Sequence, residues 1–98
     1  VDLTDFPAVT SLLHSAKPDA IIHCAALSRT KDCELDPDRA RRINVQATAH
    51  LAASARDMPF IFLSSGEVFD GRQGWYREAD EARPINVYGQ TKLEAERV

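Results

Sequence analysis

The chain has 98 residues, 44% hydrophobic and 28% charged, with a net charge of −3. That length suits one small domain or a piece of a larger one. The acidic balance gives no basic footprint for nucleic acid, and no apolar run approaches the roughly 20 residues that span a bilayer.

Val1 is followed directly by Asp2, with no charged n-region or apolar h-region of a signal peptide. The chain does not open on Met, so the true N-terminus is expected upstream, and a cytoplasmic setting is the default expectation. The two cysteines, Cys24 and Cys33, are too few for a disulfide framework, and no second ligand pair has metal-site spacing. No metal is expected. Cys24 lies in an apolar run, where a buried, reduced thiol is the expectation.

The first predicted element is a helix. Thr4 or Asp5 offers a cap and Pro7 falls in the first turn. Phe6, Val9, Leu13 and Ala16 then follow helical spacing until Pro18 stops the run. "AIIHCAA", Ala20 to Ala26, is short, continuous and apolar, which predicts a buried parallel strand. His23 within it reads as a hydrogen-bonded core histidine. "LSRTKDCEL" is expected to be loop. Asp36-Pro37 then supplies a cap and a first-turn proline, and Ala40, Ile43, Ala47 and Leu51 mark one face of a long helix ending near Asp57. "FIFLSS" after Pro59 predicts a second buried strand, Phe60 to Leu63. The stretch from Gly66 to Pro84 holds three of the four glycines and reads as irregular. Its Trp75 and Tyr76 would either line a pocket or cover the core. A last helix begins near Val87.

Helix, strand, helix, strand, loop, helix is the order of a doubly wound parallel α/β sheet. Two strands do not complete such a sheet. Residues 1–98 are therefore expected to be the central part of a Rossmann-type domain. The first βαβ unit, with its G-x-G-x-x-G turn, is expected upstream, and a substrate-binding part downstream.

Two features carry chemistry. Tyr88 and Lys92 stand four apart on the last helix and share a face. A nearby ammonium favours phenolate over phenol, so such a tyrosine can exchange a proton near neutral pH. The same pair also suits the surface of an amphipathic helix. Ser64 and Ser65 follow the second strand, where the ligand crevice of an open parallel sheet lies. A hydroxyl there can bond a substrate carbonyl oxygen, or simply end the strand in a turn.

"FLSSGEVFDG", "YREADEARP" and "VYGQTKLEAE", with "DLTD", "IIHCAALSRTKDCELDP" and "INVQAT" upstream, occur here in a characteristic order. In these segments the chain resembles the extended short-chain dehydrogenase/reductases, and within them the dTDP-4-dehydrorhamnose reductases of dTDP-rhamnose biosynthesis. The resemblance covers essentially the whole chain. It implies an NAD(P)-dependent oxidoreductase that uses NADPH or NADH to reduce a nucleotide-sugar ketone, with a homodimer as the full-length form.

Carried over by position, Tyr88 matches the catalytic acid/base and Lys92 the lysine that holds the nicotinamide ribose. Ser65 matches the hydroxyl that polarises the substrate carbonyl. Asn44 matches an asparagine that supports the proton relay, although a helix-packing asparagine fits its place equally. Ala25, Ala26 and Leu27 match the turn whose backbone lies along the cofactor. Asp2 and Leu3 match the pair that contacts adenine. Gly66 and Glu67 depart from the family's usual Asp or Asn followed by Tyr, which removes a side chain expected to touch the sugar at Gly66. Two alternatives share the same motifs. One is a sugar-nucleotide epimerase or dehydratase. The other is a non-catalytic subunit similar to the regulatory subunit of methionine adenosyltransferase.

Overall fold

A computed structural model describes all 98 residues, Val1–Val98. The chain order is α1 (Phe6–Ala16), β1 (Ile21–His23), α2 (Thr30–Leu35), α3 (Pro37–Arg41), a π-helical turn (Arg42–Gln46), α4 (Ala47–Ser54), β2 (Phe60–Phe62), a 3₁₀ turn (Gly66–Val68) and α5 (Val87–Ala95). The two strands pair in parallel, Ile21 with Phe60, Ile22 with Ile61 and His23 with Phe62. This is a Rossmann-type α/β arrangement with an incomplete sheet.

The helix boundaries follow their local chemistry. Asp5 caps α1 by accepting from Ala8 N at 3.0 Å, and Lys17 ends the helix in the left-handed conformation. Asp36 caps α3 through Arg39 N, and Asn86 caps α5 through Gly89 N at 2.7 Å. Each such cap contributes on the order of 1 kcal/mol.

The helices gather over one face of the strands. His23 and Phe62 share that face, where His23 meets Thr48 of α4 and the Phe62 ring meets Lys92 of α5. Ile22 and Ile61 alternate to the other face and are 64% and 51% exposed. The strand residues therefore differ from the expectation of full burial. The small core instead lies between helices, at Val9, Cys33, Ala40, Ala47, Leu51 and Ala95.

Three expectations are corrected. Cys24 is exposed, because alternation along the strand turns it away from the helices, and Cys33 is the buried thiol. The stretch expected to be loop contains α2, which is held by burial of Cys33 and by the Cys33 thiol's bond to Leu27 O. The long helix is not regular. Its π-helical turn brings Asn44 and Thr48 into the core alongside Ala40, Ala47 and Leu51.

Candidate active site

The site forms where β2 ends against α5. Ser65 is extended and caps the 3₁₀ turn, its Oγ accepting from Glu67 N at 3.2 Å. Ser64 donates from Oγ to the Glu96 carboxylate. An open cleft of about 600 Å³ lies beside them, with Ser64, Ser65 and Gly66 on one side and Glu78 and Asp80 of the long loop on the other.

The head of α5 sits directly on this turn. A Cβ at Gly89 would stand 2.1 Å from the Glu67 carbonyl oxygen, so only glycine permits the approach. Asn86 Nδ2 donates to Glu67 Oε2 at 2.8 Å, and Glu34 of α2 accepts from Val87 N at 2.7 Å. Tyr88, half-buried beside Gly89, is thereby held next to the Ser65 turn. Glu34 and Glu67 were not singled out in the sequence. Their partners lie 53 and 19 residues away, and no local pattern marks them.

Lys92 is 2% exposed. It donates from Nζ to Leu63 O at 2.6 Å and lies 4.0 Å over the Phe62 ring. Burial pushes its ammonium down from the ordinary lysine range, while the Glu96 carboxylate and Cys24 pull it back up. Burial, with the Lys92 charge added, also holds the His23 imidazole below its ordinary value, which keeps it neutral.

Asn44 is 1% exposed and joins two parts of the site. Its Oδ1 accepts from Leu27 N at 2.8 Å. Its Nδ2 donates to Leu27 O at 3.1 Å and to Thr91 Oγ1 at 2.9 Å. Both amide hydrogens are thus committed inside the protein. Ala25 is exposed and Ala26 and Leu27 are half-buried, all on the segment that leaves β1. Asp2 accepts from Thr4 N and Thr4 Oγ1 in a turn ahead of α1, which lowers its carboxyl pKa. The half-buried Leu3 belongs to the same turn. Trp75 is 97% exposed, whereas Tyr76 stacks on Phe69 and donates to Asp70.

A family model, RmlD substrate binding domain, matches residues 1–98. The chain belongs to the RmlD substrate binding domain family. Similar members include the methionine adenosyltransferase 2 subunit beta of Pongo abelii, 43% identical over 99% of this chain and 30% of that protein. A probable low-salt glycan biosynthesis reductase of Haloferax volcanii is 42% identical over 98% of this chain and 33% of that one. The crystal structure of a dTDP-4-dehydrorhamnose reductase from Bacillus anthracis, in complex with NADP, superposes with a TM-score of 0.92. It is 29% identical and covers 99% of this chain and 36% of that one. The RmlD-family chain described here thus spans about a third of the length of each relative. Its residues fit a nicotinamide dinucleotide on two observations. Small side chains at Ala25 and Ala26 leave the backbone after β1 open to approach, and Lys92 brings an ammonium to the end of β2.

Proposed function

We propose that residues 1–98 are the central part of an NAD(P)-binding Rossmann-type domain in a reductase of nucleotide-sugar ketones, of the dTDP-4-dehydrorhamnose reductase kind. The seating of Gly89 on the Glu67 carbonyl is the observation that carries this reading, because it sets Tyr88 beside the Ser65 turn at the carboxyl end of β2. Ser65 donates to the substrate carbonyl oxygen. Tyr88 gives its phenolic proton to that oxygen as it becomes an alkoxide and leaves as phenolate, which the Lys92 ammonium stabilises. Lys92 also holds the ribose hydroxyls, turning from Leu63 O to do so. Bound NAD(P)H supplies the hydride to the carbonyl carbon. Ala25, Ala26 and Leu27 lie along the cofactor, and Asp2 and Leu3 meet its adenine. Asn44 acts by holding Leu27 and Thr91, since its amide hydrogens are already used.

The test is NAD(P)H oxidation by the full-length protein in the presence of dTDP-4-dehydrorhamnose. Turnover is expected, and Tyr88→Phe should lower kcat by about 10²-fold or more with cofactor affinity nearly unchanged. A Tyr88→Phe protein that keeps most of its rate removes Tyr88 from the mechanism.

A second reading rests on the 43% identity to a methionine adenosyltransferase 2 subunit beta and on Gly66, which offers the sugar no side chain. In that reading the same site binds the dinucleotide without turnover, and the protein acts by binding a partner. Tight NAD(P)H binding without oxidation of any nucleotide-ketosugar would favour it. An epimerase or dehydratase would convert the sugar with no net consumption of NAD(P)H.

A further inference from the structure

One line of buried hydrogen bonds runs from the end of β1 to the catalytic helix, entirely within these residues. His23, Asn44, Thr48 and Thr91 are each buried, at 4% exposure or less. Thr48 donates from Oγ1 to Asn44 O at 2.7 Å. A threonine hydroxyl has one hydrogen, so His23 Nε2, 3.0 Å from the same oxygen, must be the donor to Thr48. The backbone of Asn44 is thereby tied to β1. Its side chain grips both backbone groups of Leu27 and donates onward to Thr91 Oγ1. Thr91 in turn spends its hydrogen on Tyr88 O at 2.8 Å. No buried side-chain nitrogen or oxygen in the chain lacks a partner, so the line is saturated from end to end. The π-helical turn at Arg42–Gln46 carries Asn44 at its centre, and single π turns inside α-helices recur at functional sites.

We infer that Thr91 is a positioning residue for catalysis: its hydroxyl links the Asn44 amide to the Tyr88 carbonyl and so holds the Tyr88–Lys92 turn in register with the Leu27 backbone. This rests on the proposed reductase reading, which places the cofactor along Leu27 and the proton donor at Tyr88. The hydroxyl serves twice. As acceptor it completes the Asn44 amide, and as donor it fixes the carbonyl of the proton-donating residue. A displacement of α5 by about an ångström would separate Tyr88 from the Ser65 turn, and misplacement of that size can cost about a hundredfold in rate. Asn44 retains its two bonds to Leu27 without Thr91. Loss of the hydroxyl should therefore act on proton delivery and spare cofactor binding.

The experiment compares full-length parent, Thr91→Val, Thr91→Ser and Asn44→Leu for kcat, NAD(P)H Kd and melting temperature. Thr91→Val is expected to lose about ten- to hundredfold in kcat with an NAD(P)H Kd within about threefold of the parent, as the intact Leu27 grip implies. Thr91→Ser should restore kcat, because it keeps both hydrogen bonds. Asn44→Leu should impair Kd and kcat together, since it releases Leu27 as well. A folded Thr91→Val protein with parental kcat overturns the inference. So does a Thr91→Ser protein as slow as Thr91→Val, which would make the lost contact packing. Where Thr91→Val does not fold, Thr91→Ala is measured against Thr91→Ser by the same criteria. Failure of both to fold while Thr91→Ser folds would assign the hydroxyl to stability alone and also overturn the inference. A parent that oxidises no NAD(P)H with any nucleotide-ketosugar removes the reductase reading and the inference with it. An active parent with an equally active Thr91→Val variant removes the inference only.

Discussion

Gly66 and Gly89 bracket the cleft and are glycines for different reasons. Nothing lies within 4 Å of a Cβ added at Gly66, and its backbone is outside the left-handed region. A side chain therefore fits there without strain, and it would project beside Ser65, where the proposed substrate sits. Gly66→Asp is expected to shift the ratio of kcat/KM between dTDP-4-dehydrorhamnose and a second nucleotide-ketosugar, with melting temperature and NAD(P)H Kd unchanged. Steady-state kinetics on both sugars check this, and an unchanged ratio removes Gly66 as a selector. The residues proposed for the chemistry were legible because Tyr88, Lys92 and Ser65 fall at fixed places relative to predicted elements. Thr91, Thr48, Glu34 and Glu67 were not. Their roles depend on partners up to 53 residues away, and a hydroxyl or carboxylate on a helix looks the same in sequence whether its partner is water or a buried amide.

Among the elements, α5 is the one most tightly specified. Asn86 caps it, Glu34 accepts from its first amide, and Gly89 lets it descend onto the Glu67 carbonyl. The obstacle at Gly89 is backbone, which has little room to yield. Gly89→Ala is expected to destabilise the full-length protein by about 1–3 kcal/mol, as overpacking does. It should also lower kcat, because α5 must lift from the Ser65 turn. Thermal melts and turnover of the two glycine variants, side by side, test the contrast. An alanine at Gly89 that melts like the parent would mean that the seat is soft. The caps of α1, α3 and α5 were readable, since Asp5, Asp36 and Asn86 act on amides two to three residues away. The helix α2 was not, because six polar residues form it only where Cys33 is buried and Leu27 O is available to its thiol. The π-helical turn also escaped the reading. Ala40, Ala47 and Leu51 keep a face compatible with an ordinary helix, so the periodicity shows no break.

At the scale of the whole molecule, the structure is a slab with extents of 45 × 30 × 16 Å, one layer of helices on one layer of sheet. Ile22 and Ile61 lie side by side on the uncovered face. The apolar runs correctly marked both strands as belonging to a parallel sheet, but a run apolar at every position cannot show which face is covered within these residues. That is why Cys24 was misjudged. The proposed cofactor residues also line only part of a dinucleotide site, because no glycine-rich phosphate-binding turn occurs in the chain. The 98-residue chain alone is expected to give no heat of NAD(P)H binding at micromolar concentration, while the full-length protein binds. Calorimetry on the two decides this, and micromolar binding by the 98 residues would show that the segments described here suffice.

The π-helical turn also governs where this chain can change length. A turn of that kind holds one residue more than the α-helical turn it replaces. Removing a single residue between Arg42 and Gln46 would let the helix rewind to regular pitch and swing everything after it by about 100°. Thr48 would leave His23, and Leu51 would leave the core it now fills. Substitution in that turn changes one side chain, whereas a change of count rotates the whole of α4 relative to the sheet. The loop from Gly71 to Trp75 is exposed throughout, so a residue gained or lost there displaces no packed element.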